Sequence, residues 1–522
     1  MSNIFNSVKE TYIKSNTFDL THDVKLSTKA GKLTPCCVID TIPGDKFNIS
    51  GNAMVRLAPT LAPIMHRMDV YIHYFFVPNR ILWPNWEDFI TGGQYGEDAT
   101  VPPFINIDTT DVNNGDLLDY MGIPTNADVG SGKIAKVNPL AFAAYQRIYQ
   151  DYYRDENLID EVIVDLFNGD NTSNIGYFST MRYRAWSKDY FTSALPWTQR
   201  GPEAILPLGQ TAPIIPIEDG SGIVSQYLRD TPSSAINNGT GNIHWEASSE
   251  QIQNAVGDRV YISVEDSHEV DLSSATSATI IELRRAFALQ AFLEANARGG
   301  SRYIENIAVH FGVRSSDKRL QRPEYIGGFS APLKMSEVLQ TSSNASQPTP
   351  QGTMTGHGIS VGGSKTYSYF AEEHGYIIGI MSVLPKSAYQ QGIPKHFRRF
   401  DKFDYAWPAF AHIGEQPIEN IELYLSGNQT DAETFGYTPR YAEYKFQNNR
   451  VAGDFRTSLD FWHLGRKFVT LPPLSEDFVT MFPQEIDRVF AVQGAEDNLW
   501  CQVLNQVKAS RKLPVFGTPK IQ

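Results

Sequence analysis

The chain has 522 residues, of which 41% are hydrophobic and 12% aromatic, enough to bury a substantial core. Its net charge of −13 excludes a general nucleic-acid-binding protein, although a local basic surface could still contact DNA. The acidic residues are concentrated between residues 202 and 276, a segment that contains eleven Asp or Glu, two Arg and no Lys and has a net charge of −9. We expect that part of the chain to be solvated.

The cysteines and the N-terminus indicate synthesis in a reducing cytoplasm. The chain has three cysteines and no CxxC motif, so neither a disulfide framework nor a zinc site is expected. The start, MSNIFNSVKETYIK, lacks the basic-plus-apolar pattern of a signal peptide, and no apolar run reaches the length of a membrane span. We expect a soluble protein without cofactor or metal.

The N-terminal third predicts an arm, strands and one helix. Residues 1–17 are polar and suit an extended arm. Apolar residues then alternate from Phe18 to Leu26, with His22 breaking the pattern of a half-buried strand. Residues 68–77 are apolar on both faces and predict a strand covered on both sides. Residues 139–153 carry an aromatic stripe at helical spacing and predict a helix whose stripe packs in the core.

The middle of the chain predicts an inserted lobe followed by a hinge. Residues 219–268 are rich in turn-forming sequence and poor in large apolar clusters, which favours an inserted surface lobe over disorder. Residues 280–297 predict a structural helix with Leu283 and Phe287 on a buried face. Three further features mark its boundaries: a capping box of Thr279 and Glu282, glycines at 299 and 300, and an alternating run, Ile307–Val313, that predicts a strand.

The C-terminal part predicts further strands. Residues 376–384 are apolar on both faces, while residues 441–446 and 455–461 alternate as half-buried strands do. Many short strands, long connections and few helices indicate a mainly β protein with a sandwich or jelly-roll fold.

Short catalytic motifs are present but lack their structural context. The sequence Gly358-Ile-Ser360-Val-Gly362 matches a nucleophile elbow, yet it lies between a predicted loop and a predicted strand instead of at a strand-to-helix turn. Gly130-Ser-Gly-Lys133 lacks the first glycine and the Ser or Thr of a P-loop. The sequence therefore favours a structural protein over an enzyme. The alternative, a β-sandwich carbohydrate-binding protein or glycoside-active enzyme, would need a cleft with paired carboxylates.

Two sets of basic residues are candidates for DNA contact. In the first, cations and aromatic residues alternate between residues 395 and 405, a composition that can neutralise phosphates and stack unpaired bases. The second lies near the C-terminus, within a tail predicted over 508–522. The candidate residues are Lys395, Arg398, Arg399, Lys402, Lys508, Arg511 and Lys512. For the first set, the alternative interpretation, a solvated loop packed on its aromatic residues or a subunit contact, is favoured because the cluster is only weakly basic.

Four tryptophans are candidates for a different role. Trp83, Trp86, Trp186 and Trp197 lie in turn-rich, aromatic segments. Because Trp anchors both cores and interfaces, the sequence predicts either core packing or contacts between subunits and does not choose between them.

Nine segments, spread in order over nearly the whole chain, carry a family resemblance. They are NPLAFAAYQRIYQDYYRDENL (138–158), DYFTSALPW (189–197), ATIIELRRAFALQAFLEANARGGSRYIENIAVHFGV (278–313), RLQRPEYIGG (319–328), EEHGYIIGIMSV (372–383), YAWPAFAHIGEQPI (405–418), YTPRYAEYKF (437–446), VAGDFRTSLDFWHLGRKF (451–468) and PVFGTP (514–519). In these segments the chain resembles the major capsid proteins of gokushovirus-type Microviridae, small icosahedral phages with circular single-stranded DNA. Residues 219–268 fit the family least.

This resemblance implies a fold, an assembly and a set of partners. The implied fold is one eight-stranded antiparallel jelly roll over residues 1–522 with long insertions, and the implied assembly is a T=1 shell built from copies of the chain in the host cytoplasm. The insertion at 219–268 would form a protrusion at the threefold axes on the outer surface, where a host receptor would be met. The implied partners are the single-stranded DNA genome, an internal scaffolding protein, a small DNA-binding protein and a pilot protein.

Overall fold

The computed structural model describes three long stretches of the chain. These are residues 14–202, 280–341 and 351–516, without residues 96, 98, 163, 164, 301, 493 and 495; six strands of three residues are described between 214 and 270.

The strands, in chain order, are β1 (Asn16–Asp19), β2 (His22–Thr28), β3 (Thr34–Thr41), β4 (Lys46–Leu57), β5 (Met68–Pro78), β6 (Ile105–Asp108), β7 (Ile134–Val137), β8 (Ile214–Pro216), β9 (Tyr227–Arg229), β10 (His244–Glu246), β11 (Gln251–Gln253), β12 (Tyr261–Ser263), β13 (His268–Val270), β14 (Glu324–Leu339), β15 (Met354–Gly363), β16 (Tyr367–Phe370), β17 (Gly375–Pro385), β18 (Glu415–Glu419), β19 (Thr434–Pro439) and β20 (Leu499–Arg511).

The helices are α1 (Trp86–Thr91), α2 (Leu117–Tyr120), α3 (Asn126–Val129), α4 (Leu140–Ile148), α5 (Ile175–Ser179), α6 (Ile280–Gly299), α7 (Tyr303–Phe311), α8 (Asn420–Leu423), α9 (Ala442–Lys445) and α10 (Glu476–Val479). A π-helical turn, Tyr149–Tyr153, continues α4. Short 3-10 helices lie at Asn79–Ile81, Thr109–Asp111, Thr172–Asn174, Lys395–Phe397, Lys402–Asp404, Pro408–Phe410, Gln429–Ala432, Gly453–Arg456, Asp460–Trp462, Pro483–Glu485 and Asp487–Val489.

One curled antiparallel sheet organises the described strands. Eight strands follow each other in the order β1-β20-β4-β15-β14-β5-β17-β3, with β2 also paired to β20 and β16 to β4. The long strand β14 forms the corner, because its first part pairs with β5 and its last six residues pair with β15. The sheet thereby folds back on itself as a jelly roll, which confirms the predicted mainly β class.

The main core lies between the two halves of this sheet. Alternate residues of β4 and β20 point inward, and they meet inward-facing residues of β3, β5 and β17. The fully buried side chains include Phe47, Ile49, Val55, Val503 and Val507 on one side and Val70, Ile72, Ile377, Met381 and Val383 on the other. Each such side chain contributes about 2 kcal/mol through burial, so this layer is the main source of the fold's stability.

A second layer covers the outer face of β5 and β17. Phe75 of β5 and Ile378 of β17 point away from the main core, and α4 packs over them with Phe142 and Tyr145. Both strands are therefore covered on both sides, as the apolar runs 68–77 and 376–384 predict. The helix predicted over 139–153 and its core-facing aromatic stripe are confirmed as well.

The strand predicted at Ile307–Val313 is wrong, since these residues belong mostly to helix α7. A seven-residue alternation is too short to separate a strand from a helix. The helix is selected by contacts with α6: the side-chain amide of Asn306 donates to Asn296 Oδ1 at 3.0 Å, and His310 Nε2 lies 2.6 Å from the same oxygen. Gly312, with φ of 67°, ends α7 in the left-handed region.

Two other predicted strands are also helical. Within residues 441–446, Ala442–Lys445 form α9, preceded by Tyr441 in the left-handed conformation at φ 61°. Residues 455–461 span the end of the 3-10 helix Gly453–Arg456, a turn at 457–459 and the start of the 3-10 helix Asp460–Trp462. In each case the alternating side chains pack against local neighbours instead of a sheet: Tyr441 contacts Tyr444, and Phe455 contacts His463.

Helix α6 matches its predicted start and glycine end, but its apolar side chains are not covered as expected. Leu283 is half-buried, whereas Phe287 is 66% exposed, so the prediction of a buried face is wrong for Phe287. Thr279 of the predicted capping box lies outside the described residues.

The chain divides into two compact units, residues 1–198 with 296–522, and residues 199–295. The first unit contains the jelly roll. In the second unit the short strands pair antiparallel as β8 with β13, β9 with β12 and β10 with β11. Apart from these strands, the lobe predicted at 219–268 lies outside the described residues, as do residues 1–13 of the predicted arm and 517–522 of the predicted tail.

Candidate nucleic-acid interface

The basic and aromatic cluster at 395–405 lies in an ordered excursion that follows β17. The carboxylate of Asp401 accepts from the backbone N–H of Lys402, and Asp404 Oδ2 accepts from the N–H groups of Phe400 and Asp401 at 2.8 Å each. The indole of Trp407 donates to the carbonyl of Lys402 at 2.8 Å. These bonds hold the excursion in a defined shape although most of its side chains face solvent.

Lys395 is an internal ion-pair partner. Its Nζ lies 3.0 Å from Oε1 of Glu422, whose side chain is only 2% exposed, and it also donates to the carbonyl of Pro417. Tyr190 donates to the other oxygen of Glu422 at 2.9 Å. Burial raises the pKa of Glu422, and the ammonium of Lys395 opposes that rise. Lys395 thus stabilises a buried carboxylate, which removes its charge from the surface.

The two arginines of the cluster are paired in the same way. Arg398 Nη2 lies 2.9 Å from Glu419 Oε2. Arg399 lies 3.7 Å from Glu443, and both side chains are 11% exposed. The guanidinium of Arg399 also stacks at 4.2 Å from the ring of Tyr444. Sequence reasoning missed these acidic partners, because they lie 21 and 44 residues away and no local pattern connects them.

Lys402 differs from its neighbours. It is exposed, it forms no ion pair within the described stretches, and its Nζ lies 4.9 Å from the ring centre of Phe403. Of the four cations predicted here for DNA contact, the structure leaves this one without a carboxylate partner.

The C-terminal basic residues lie at the end of β20. Lys508 is exposed on the outward face of the sheet, opposite Asp19 of β1. Arg511 is 3.1 Å from Asp45, whose side chain is fully buried, so this arginine too is occupied within the chain. Lys512 is exposed just after the strand. As far as the structure describes the chain, Lys508 and Lys512 form no ion pair and can meet an external anion.

The four tryptophans separate into two groups. Trp83 and Trp186 are 1% and 2% exposed and belong to the core. Trp86 and Trp197 are half-buried. Two others that sequence reasoning did not single out, Trp407 and Trp500, are each 50% exposed. Exposure of a tryptophan depends on which face of a folded element it occupies, so no signal in the local sequence could have separated these groups.

The rejected motifs remain without a catalytic arrangement. Gly358–Gly362 lies inside β15, so Ser360 is a strand residue and does not occupy a strand-to-helix turn. Within the described ranges, no group of three or more His, Cys, Asp or Glu side chains is placed to hold a metal ion. In the same ranges, no helix is long and apolar enough to cross a membrane.

A curled jelly roll with long ordered excursions is a fold that viral coat proteins share with lectin domains and other β proteins. Residues 6–521 match the family described as Capsid protein (F protein), and the chain belongs to that family.

Three relatives, each named Capsid protein VP1, extend this similarity over nearly the full chain. The protein of Bdellovibrio phage phiMH2K is 37% identical over 489 residues, covering 91% of this chain and 89% of the relative. The protein of Chlamydia phage 1 is 32% identical, and the match covers 100% of this chain and 98% of the relative. The protein of Spiroplasma virus 4 is 31% identical, and the match covers 99% of this chain and 97% of the relative. The chain is therefore a gokushovirus-type major capsid protein: a structural component of the virion that assembles into a multi-subunit shell, and not an enzyme.

Proposed function

We propose that copies of this chain close into a T=1 icosahedral shell around a circular single-stranded DNA genome. The observation that carries the proposal is the match over residues 6–521, which includes the jelly roll and its excursions together. Electron microscopy and mass measurement of purified particles test it. A uniform shell with the mass of T=1 assembly is the expected result, and a larger lattice or an open polymer would contradict it.

We propose further that Lys508 and Lys512 contact the genome, in preference to Lys395, Arg398, Arg399 and Arg511, each of which is paired to a carboxylate of the same chain. Unpaired Lys and Arg side chains bind phosphates favourably because they release the counterions condensed on the DNA. An arginine already paired to a carboxylate contributes little to this binding, since its charge is neutralised. Lys508 and Lys512 are exposed and form no ion pair within the described residues, although Asp19, opposite Lys508 in the β1–β20 register, interacts with it electrostatically. In a Lys508→Gln, Lys512→Gln variant, DNA release from particles should begin at lower salt than in the wild type; an unchanged salt dependence would contradict the assignment.

The remaining partners are proposed on the family membership. They are an internal scaffolding protein, a small DNA-binding protein, a pilot protein and a host-surface receptor. We propose that the acidic lobe at 219–268 lies on the outer surface, because burying its many carboxylates inside a shell with DNA would be costly. Labelling of intact particles by a membrane-impermeant reagent should reach this lobe before the jelly-roll core.

A further inference from the structure

Seven exposed aromatic side chains lie together on the excursion after β17 and on the adjoining α9. We call this set the aromatic ridge: Phe397, Phe400, Phe403, Tyr405, Trp407, Tyr444 and Phe446. Their exposed fractions range from 47% for Phe446 to 82% for Phe400. At roughly 200 Å² for each aromatic side chain, the ridge offers roughly 800 Å² of exposed area. Soluble monomers rarely expose contiguous apolar patches beyond a few hundred Å².

Contacts join the two segments that carry the ridge. The guanidinium of Arg399 lies 4.2 Å from the ring of Tyr444 and 5.6 Å from that of Tyr405, which joins the two segments. The phenol of Tyr444 lies 3.3 Å from the backbone nitrogen of Ala406, and Phe397 and Phe446 line one cavity of about 210 Å³. Because these bonds fix the backbone, the rings are held outward before any partner arrives, and little ordering entropy is lost on binding.

The charge around the ridge is balanced within the chain. Residues 395–405, 419–422 and 443–446 together contain five Lys or Arg and five Asp or Glu. Three of these cations are held by carboxylates of the same chain, at Glu419, Glu422 and Glu443. A single-stranded nucleic acid would need free cations for its phosphates, and to use these three it would have to break ion pairs. The ridge is therefore better suited to binding an apolar protein surface than to binding a polyanion.

We infer that the aromatic ridge is a contact between copies of this chain in the assembled shell, and not a nucleic-acid surface. Its exposed area equals the contribution of one partner to a standard interface, about 800 Å². Its composition, rich in Phe, Tyr and Trp with neutralised charge, is that of an interface core. The inference rests on the assembly of the chain into a shell, but it does not depend on the T number of that shell.

The test compares two double variants of the full chain, each produced in host cells together with all the other phage proteins. The mutated rings of the two variants have matching exposed fractions. Phe397→Ser with Phe400→Ser removes the two most exposed rings of the ridge, at 63% and 82%. The control, Phe167→Ser with Tyr95→Ser, removes two rings of 64% and 84% exposure elsewhere on the chain. Gradient sedimentation separates particles from unassembled chain, melting of the unassembled chain reports folding, and DNA content is measured in the particle fraction.

The ridge variant should lose about tenfold or more in particle yield, since truncated interface anchors cost at least that factor in affinity, while its melting temperature stays that of the wild type. A Phe397→Leu, Phe400→Leu variant should restore the yield because it keeps apolar area. If the serine variant misfolds, the single charge insertion Phe400→Lys at the most exposed ring decides in its place.

Three outcomes would overturn the inference. One is wild-type particle yield from the ridge variant. A second is an equal loss from the control. The third is a normal yield of particles that contain less DNA, which would identify the ridge as a nucleic-acid surface. The mass of the wild-type particle tests the T=1 proposal separately, so failure of one is distinguishable from failure of the other.

Discussion

The phenol of Tyr74 donates a 2.8 Å hydrogen bond to the side-chain oxygen of Asn505, joining β5 to β20 across the core. These strands are not neighbours in the sheet, so the bond spans its two facing halves. The amide of Asn505 donates in turn to the carbonyl of Cys36 on β3 at 2.7 Å, and Asn505 and Tyr74 are both fully buried. A single polar residue thus ties three strands of the jelly roll together inside an apolar layer.

Asn505→Ala should lower the free energy of unfolding by about 3 kcal/mol, because it leaves the Tyr74 hydroxyl and the Cys36 carbonyl buried without partners. Tyr74→Phe should lower the free energy of unfolding by about 1 kcal/mol, since it leaves only the side-chain oxygen of Asn505 without its hydrogen-bond donor. Urea unfolding of the unassembled chain measures both. The control is Gln506→Ala, on the exposed side of the same strand, where we expect a change within about 0.5 kcal/mol. Equal losses at positions 505 and 506 would show that the buried bond adds nothing.

Stability should fall between pH 6.5 and about pH 4 through His73. Burial, aided by the guanidinium of Arg184, lowers the pKa of His73 from 6.5 to about 4. As the pH falls, His73 is protonated near pH 6.5 in the unfolded chain but only near pH 4 in the folded chain. Between these pH values the unfolded chain binds one proton more, so a falling pH favours unfolding.

His73→Gln should flatten part of this pH dependence, as measured by denaturant midpoints at a series of pH values. His412→Gln, at an exposed position, serves as the control. The lowered pKa values of His66 and His463 leave a residual slope of the same sign, so a slope identical to that of the wild type is the contradicting result.

Lys395→Met should destabilise the chain by about 2 kcal/mol, because it leaves the buried carboxylate of Glu422 without its cation. Lys402→Met, in the same excursion but unpaired within the described residues, should change stability by less than about 0.5 kcal/mol. Thermal melting of the unassembled variants measures the difference. Loss of packaged DNA from Lys395→Met particles, with stability unchanged, would instead support the genome contact predicted from sequence.

Replacing residues 219–268 with a short Gly/Ser linker should preserve folding of the jelly roll, since shortening a surface excursion changes loop-closure entropy only slightly. If the lobe serves attachment, particles form and adsorb less to host cells. Particle yield and adsorption to host cells, measured together, distinguish a role of the lobe in attachment from a role in assembly. Normal particles that adsorb like the wild type would remove the attachment role, and an absence of particles would make the lobe an assembly element.

The sequence by itself determined the parts of this protein that depend on short-range pattern or on long-range resemblance. Doubly apolar runs predicted β5 and β17, an aromatic stripe predicted α4, and nine matching segments predicted the capsid family. These succeed because burial imposes a residue pattern directly on an element, and because a family match over a whole chain combines many positions.

Tertiary structure decided what local patterns leave open. The alternation at Ile307–Val313 fits a strand or a helix, and contacts with Asn296 of α6 select the helix. The cations at 395–399 look free in sequence, yet three carboxylates more than twenty residues away neutralise them. Which charges pair and which rings stay exposed depends on how distant segments meet in space. That meeting is governed by packing over the whole molecule, which a local window of sequence does not contain.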